Sequence, residues 1–241
     1  MFTVRKDRAD RRDVVRSFSK DTVRTKVDLR PWATPIETQL HLGSCVGQAV
    51  VGAYELMMNK KCNGYVDLSR LFVYYNARVL DNAVDEDVGS YVRDGVKSIS
   101  KWGVCMENIW PYVIDKFATA PSIDAYDEAK QRIITRYYRL LTIQDMVQAM
   151  DNEYPVVTSM NVYNSFYDLA EPGEILLKMP MKSDDVIGGH AVVFVGYDAD
   201  NRTFIARNSF GLDWGDNGYF YVPFDYAKVD FMDSWIFDIT C

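Results

Sequence analysis

Apolar and polar residues recur at two different periods along this chain, and the change-over lies near Pro155. Before it, apolar positions follow helical spacing. Val46, Ala49, Val50, Ala53, Tyr54 and Met57 mark the buried stripe of a helix expected from 45 to about 60, with Ser44 as its N-cap. Gly47 and Gly52 lower the helix propensity of that stretch, which points to close packing against other backbone. Further helices are expected at about 69–80 from Ser69, about 90–101 from Ser90, and 143–152 capped by Thr142. After Pro155 the pattern is that of strands, at 156–162, 191–197, 203–207 and 218–222, parted by turns such as 198–201. Helices first and strands later predict an α+β class, with two lobes.

Residues 1–26 show neither period and read as an arm. From Val27 an extended entry begins, where Pro31 and Pro35 oppose helix. The arm holds nine Lys/Arg and four Asp, a net charge of +5, whereas the whole chain of 241 residues carries -7. The body is therefore strongly acidic, so the arm is expected to dock on its own body and partly cover the cleft. An acidic body repels phosphate, and nucleic acid is not an expected partner. The apolar runs fall short of the roughly 20 residues that span a bilayer, and no signal peptide opens the chain, so no membrane partner is expected. A composition 48% hydrophobic and 14% aromatic is ample for a proper core.

Cys45 stands at the expected helix start, directly after Gly43 and Ser44. Unsatisfied N–H groups and the positive end of the helix dipole would favour its thiolate. His190 opens a very apolar strand behind Gly188 and Gly189, which leave room beside the imidazole. Asn208 follows the next strand, and its side-chain carbonyl suits a group that accepts from the imidazole and sets its tautomer. Nucleophile, base and orienter make a thiol hydrolase. Gln39, six residues before Cys45, is a candidate oxyanion donor alongside the Cys45 backbone N–H. Phe210 and Trp214 are placed to shield the Asn208–His190 bond from water. His41, the second of two histidines, reads as a cleft-rim residue. If Cys45 is a free thiol, an odd number of the four cysteines remains. That fits a disulfide-poor, reducing setting such as cytoplasm or virion.

These segments together resemble the papain family of cysteine proteases, in which His and Asn lie roughly 130–150 residues past the Cys. The resemblance runs from about Val27 onward, through 28–31, 39–49, 189–197 and, most specifically, 208–219. Residues 69–78 and 89–112 are closest to the bacterial and viral branch, and there the likeness extends into the arm at 7–13. Departures are Val46 where Trp is usual, Leu42 in place of a cysteine, Phe210 in place of Trp, and Gly189 where many members carry Asp or Asn. Only the 26-residue arm stands where the family has a long inhibitory propeptide, and it is read as a short pro-segment. The resemblance implies a papain-like two-lobed fold in residues 27–241. A helical lobe covers about 27–115, a β-barrel-like lobe about 116–241, and the active-site cleft lies between them. It also implies substrate contacts at Gly89, Ser90, Gly189 and Trp214, with Gly89 and Ser90 pairing with substrate in β fashion.

The expected function is an endopeptidase that cleaves peptide or protein substrates through an acyl-enzyme. Cys45, His190, Asn208 and Gln39 are its catalytic residues, and no metal or organic cofactor is implied. Two other readings stand beside it. One is a Cys–His amidase or acyltransferase acting on cell-wall peptides or isopeptides; the other is a papain-like module that binds without cleaving.

Overall fold

A single strand, β4 (Gly188–Asp198), is the spine of the β-rich half, and Gly189 through Tyr197 are all buried in it. The computed structural model describes residues 2–18 and 23–241; Met1 and residues 19–22 of the arm lie outside them. The other strands are β1 (Lys26–Asp28), β2 (Arg136–Leu140), β3 (Val156–Val162), β5 (Thr203–Arg207), β6 (Tyr219–Pro223) and β7 (Phe231–Asp238). They form one antiparallel sheet in the order β2-β7-β3-β4-β5-β6, with β1 paired to β4. β3 sets Met160 opposite His190, and β5 sets Arg207 opposite Val193. The helices are α1 (Cys45–Cys62), α2 (Arg70–Leu80), α3 (Val92–Trp102), α4 (Ile123–Ala129), α5 (Ile143–Asp151) and α6 (Phe224–Asp230). The architecture is α+β with two sides, as the pattern of elements predicts.

Sequence cues and structure part company in informative places. Ser69 caps α2 by accepting from the Phe72 N–H, and Thr142 forms a capping box with Asp145 at α5. Ser44 precedes α1 as expected, but its hydroxyl makes no cap. It lies 2.5 Å from the Tyr112 hydroxyl instead. α3 starts at Val92 after Tyr91, two residues later than the Ser90 signal. Nor is the α1 stripe a stripe, because every residue from Cys45 to Met57 is buried. α1 packs between α2 and α3 on one side and the sheet on the other, so it has no solvent face to mark. Gly47 serves the close approach expected of it: a Cβ there would stand 2.7 Å from the Arg70 carbonyl oxygen. A division near residue 115 would assign α4 to the β-rich side, whereas Ala125 and Ala129 pack with Leu42, Leu71, Phe72 and Trp110. β2 and β7, short or interrupted by polar residues, lie outside the expected strands. Among the described residues no helix is long and apolar enough to cross a membrane.

The cysteines qualify the expectation of a disulfide-poor chain by one bond. Cys62 at the end of α1 is bonded to Cys241, while Cys45 and Cys105 are buried free thiols. Parity is met by two unpaired cysteines rather than four.

The arm runs along the body and contacts it with both signs of charge. Val4 N–H donates to the Gly189 carbonyl at 3.0 Å, and Gly189 N–H to the Phe2 carbonyl at 3.3 Å. Arg5 pairs with Asp81 at 2.5 Å and lies over the Tyr91 ring. Beyond it Arg24 pairs with Asp151 at 2.8 Å and Lys26 with Asp198 at 3.1 Å, and the arm's own acids bind as well. Asp13 sits 3.2 Å from both Arg93 and Arg139. Asp7, only 6% exposed, accepts from the Trp235 indole N–H at 2.7 Å, and its backbone N–H donates to Asp233 at 2.6 Å. Burial, reinforced by the neighbouring Asp233, pushes the Asp7 carboxyl up to about 7. The charge contrast of the sequence thus becomes a set of local pairs, and one buried acid is docked close to its neutral form.

Two expectations follow from this arrangement. Cys62 and Cys241 close a loop with a sequence separation of 179. On the chain-entropy account, replacing both with Ser should cost up to about 5 kcal/mol in urea unfolding; an unchanged midpoint would refute a stabilising role. Asp7 is held above its ordinary value, so its contribution to arm docking is full below about pH 4 and is lost as pH rises towards 7. Amide protection of Val4 and Asp7 should be higher at pH 5 than at pH 8, and Asp7→Asn should reduce the difference. Equal pH dependence in the two proteins would remove Asp7 as the cause.

Candidate active site

The site forms where the first turn of α1 meets β4. Cys45 is the first residue of α1 and is completely buried. Its sulfur is approached by backbone N–H groups of Ala191, Val46 and Cys45 itself. Ala191 is the residue after His190, so the strand that carries the imidazole also holds the thiol. Asn208 stands just past β5, where its backbone N–H donates to the Gly218 carbonyl at 2.9 Å. Its side-chain Oδ1 lies 2.8 Å from His190 Nε2. The other ring nitrogen, Nδ1, is buried and has no hydrogen-bond partner among the described residues. An amide oxygen can only accept, so this contact puts the ring proton on Nε2 and leaves Nδ1 as the basic nitrogen.

Aromatic rings enclose the imidazole. Phe210 is 5.1 Å away between centroids, Phe2 of the arm 5.5 Å and Phe166 5.6 Å. Trp214 backs Phe210 edge-on at 5.5 Å and stacks on Phe166 at 5.6 Å. Of the two aromatics singled out in the sequence, Phe210 therefore covers the His190 ring and Trp214 supports the cover. Phe166 belongs to a 3-10 segment, Asn164–Ala170, that carries no motif, and nothing in the sequence distinguishes it.

Gln39 is fully buried, with its side-chain amide held at both ends and its backbone held as well. Nε2 donates to the Leu42 carbonyl at 2.9 Å, Oε1 accepts from the Ser209 hydroxyl at 2.7 Å, and the backbone N–H donates to the Ser209 carbonyl at 2.9 Å. Ser209 follows Asn208, so one short segment orients both amides. Tyr112, unmarked in the sequence, adds its hydroxyl to the Gln39 carbonyl at 3.0 Å.

Gly89 and Gly189 face the same stretch of arm from opposite sides. Gly89 has φ +71, and a Cβ on it would lie 2.4 Å from the Thr3 carbonyl oxygen. A Cβ on Gly189 would lie 2.2 Å from the Val4 carbonyl oxygen. Ser90 is buried beside Gly89, and its hydroxyl has no hydrogen-bond partner among the described residues. His41 is exposed. Among the described residues no group of three or more His, Cys, Asp or Glu comes together as a metal site.

Burial dominates the electrostatics. It pushes the Cys45 thiol up to about 11 and the His190 imidazole down to about 4. The helix N–H groups, Ala191 and the Asn208 bond act in the opposite directions, as the sequence leads one to expect, but they are outweighed. Sealed from water, the pair is held as neutral thiol and neutral imidazole.

Comparison with known proteins bears on the family and the fold. The sequence profile of the papain family cysteine proteases matches residues 23–234. An uncharacterised peptidase C1-like protein of Acanthamoeba polyphaga mimivirus is 36% identical over 96% of this chain and 84% of its own length. Mouse cathepsin K is 25% identical over 85% of this chain, which spans 64% of that relative. Among solved structures, xylellain, a cysteine protease from Xylella fastidiosa, superposes with a TM-score of 0.93 at 32% identity, covering 100% of this chain and 96% of its own. Bromelain from Ananas comosus shares the fold, with a TM-score of 0.67 at 20% identity over 89% of this chain and 99% of its own.

Proposed function

This chain belongs to the papain family of cysteine proteases, and we propose that it hydrolyses peptide bonds as an endopeptidase through a Cys45 acyl-enzyme. The observation that carries the reading is the 2.8 Å contact of Asn208 Oδ1 with His190 Nε2, which leaves Nδ1 bare in the wall that holds the Cys45 sulfur. In the free cleft His190 Nδ1 takes the thiol proton, and the thiolate attacks the scissile carbonyl carbon. The oxyanion is met by the Cys45 backbone N–H and by the second N–H of Gln39 Nε2, the first being committed to Leu42. As the tetrahedral intermediate collapses, the imidazolium protonates the departing amine. The thioester left on Cys45 is then hydrolysed by a water whose proton passes to Nδ1. Asn208 keeps the proton on Nε2 throughout.

Substrate binding at Gly89, Ser90 and Gly189 is supported by the arm, whose backbone is already received there in extended form. An endopeptidase needs a cleft open on both sides of the nucleophile, and residues 2–5 pass from the aromatic wall of Phe166 and Phe210 to Tyr91. The same occupancy supports an inhibitory arm. It covers His190, and burial of the pair stabilises thiol and imidazole rather than thiolate and imidazolium.

Cys45→Ala should abolish turnover of a peptide library, and His190→Ala should lower kcat/KM by roughly 10²–10⁴-fold. Hydrolysis persisting in Cys45→Ala would remove the nucleophile. Cutting away residues 2–18 should raise the rate at which an electrophilic thiol probe labels Cys45 at pH 7. A rate unchanged by that truncation would leave the arm without an inhibitory role.

A further inference from the structure

Between Gln48 and Ala49 of α1 and Ala191 to Val193 of β4 the two halves of the molecule leave a cavity of about 10 Å³, counted as space open to the centre of a water molecule. One water needs about that much, together with two to four polar partners. The walls supply them. Gln48 on α1, Arg70 on α2 and Asn208 after β5 all line the cavity. Each is at most 5% exposed, and each has side-chain polar atoms without a hydrogen-bond partner among the described residues: both amide atoms of Gln48, Nε of Arg70 and Nδ2 of Asn208. The Gln48 amide also lies beside the Tyr112 hydroxyl.

The remaining charge around the cavity is already compensated. Arg70 Nη2 pairs with Glu55 at 2.9 Å, and Nη1 with Asp67 at 3.2 Å and the Leu68 carbonyl at 2.9 Å. Arg207, also in the wall, donates to the Thr34 and Pro35 carbonyls at 2.6 Å each. Glu37 stands 3.5 Å from Arg70. The free valences are therefore two N–H donors and one amide, which match a neutral ligand that both accepts and donates.

We infer that this cavity binds a single structural water bridging Asn208 Nδ2, Arg70 Nε and Gln48 Oε1, and that Gln48 is thereby a positioning residue for the reaction proposed above, on which the inference rests. The water accepts from Asn208 Nδ2–H and from Arg70 Nε–H, and donates to Gln48 Oε1. Its effect is on the orientation of one amide. Asn208 could present either Oδ1 or Nδ2 to His190, and the two orientations select opposite tautomers. With Nδ2 towards the ring, Nε2 would have to accept, the proton would move to Nδ1, and the base facing the thiol would be lost. An acceptor on the far side of Asn208 ties Nδ2 away from the ring. Gln48 supports that acceptor from α1, three residues after Cys45, so the helix that carries the nucleophile also sets the tautomer of the base.

The test separates this idea from the function it rests on. In full-length Cys45→Ala at neutral pH, nitrogen NMR of the imidazole should show His190 protonated on Nε2. Adding Gln48→Met, of similar volume and without an acceptor oxygen, should bring a detectable Nδ1-protonated population. In the protein with Cys45 intact, Gln48→Met should lower kcat by about tenfold to a hundredfold, the range seen when a group supporting a catalytic ligand is removed, with KM within twofold. Gln48→Glu, which keeps an acceptor oxygen, should recover most of the loss. A high-resolution crystal structure should show one water in the cavity. An unchanged tautomer in Gln48→Met, or a bromide anomalous signal at that position after halide exchange, would overturn the proposal. Because the tautomer is read without turnover, a protein that failed to cleave peptides would refute the peptidase reading and still report on Gln48.

Discussion

Cys45 and His190 come from different halves of the molecule, so their meeting depends on how firmly α1 is seated against the sheet. A buried chain of charge holds that seam. Glu55 of α1, fully buried, pairs with Arg70 of α2 and accepts from the Thr34 hydroxyl at 2.7 Å. The Thr34 carbonyl in turn accepts from Arg207 of β5. Ions this deep are tolerable only when fully paired, and removing one partner of such a set costs about 3–5 kcal/mol. The network is therefore stiff, and its last member is the residue before Asn208. What anchors the seam also fixes the position from which Asn208 reaches the imidazole.

β4 carries three loads. It is the centre of the sheet, it brings an N–H to the Cys45 sulfur beside His190, and its first residues pair with the arm. Gly188 and Gly189 make the third load compatible with the others, because any side chain there would occupy the arm's backbone. The open space that two glycines suggest beside a histidine is real, and the chain's own N-terminal segment lies in it. Burial explains why a thiol at a helix start, with local features in favour of ionisation, is nonetheless held neutral.

Much of this was legible from short-range signals. The helix starting at Cys45, the caps at Ser69 and Thr142, and the strands at 156–162 and 203–207 all follow from patterns within a few residues. The pairing of Asn208 with His190 was legible too, because few histidines competed for the role. β2 and β7 were not, since they read as strands only once paired with each other in a sheet. Nor was Phe166, an ordinary aromatic until the fold sets its ring against His190. Cysteine parity misled because it counts thiols without distance, and only folding brings Cys62 and Cys241 together.

The sequence alone determined the family, through residue types and order: a thiol at a helix start, an imidazole on an apolar strand and an amide after the next one. These are local properties, and local physics suffices to read them. The tertiary structure decided the state in which that chemistry is held. Burial sets the protonation of Cys45, His190 and Asp7, because desolvation sums over every neighbour in space. It also decided which polar atoms are left facing one another in the cavity between Gln48, Arg70 and Asn208, residues of three separate segments that only long-range packing brings together.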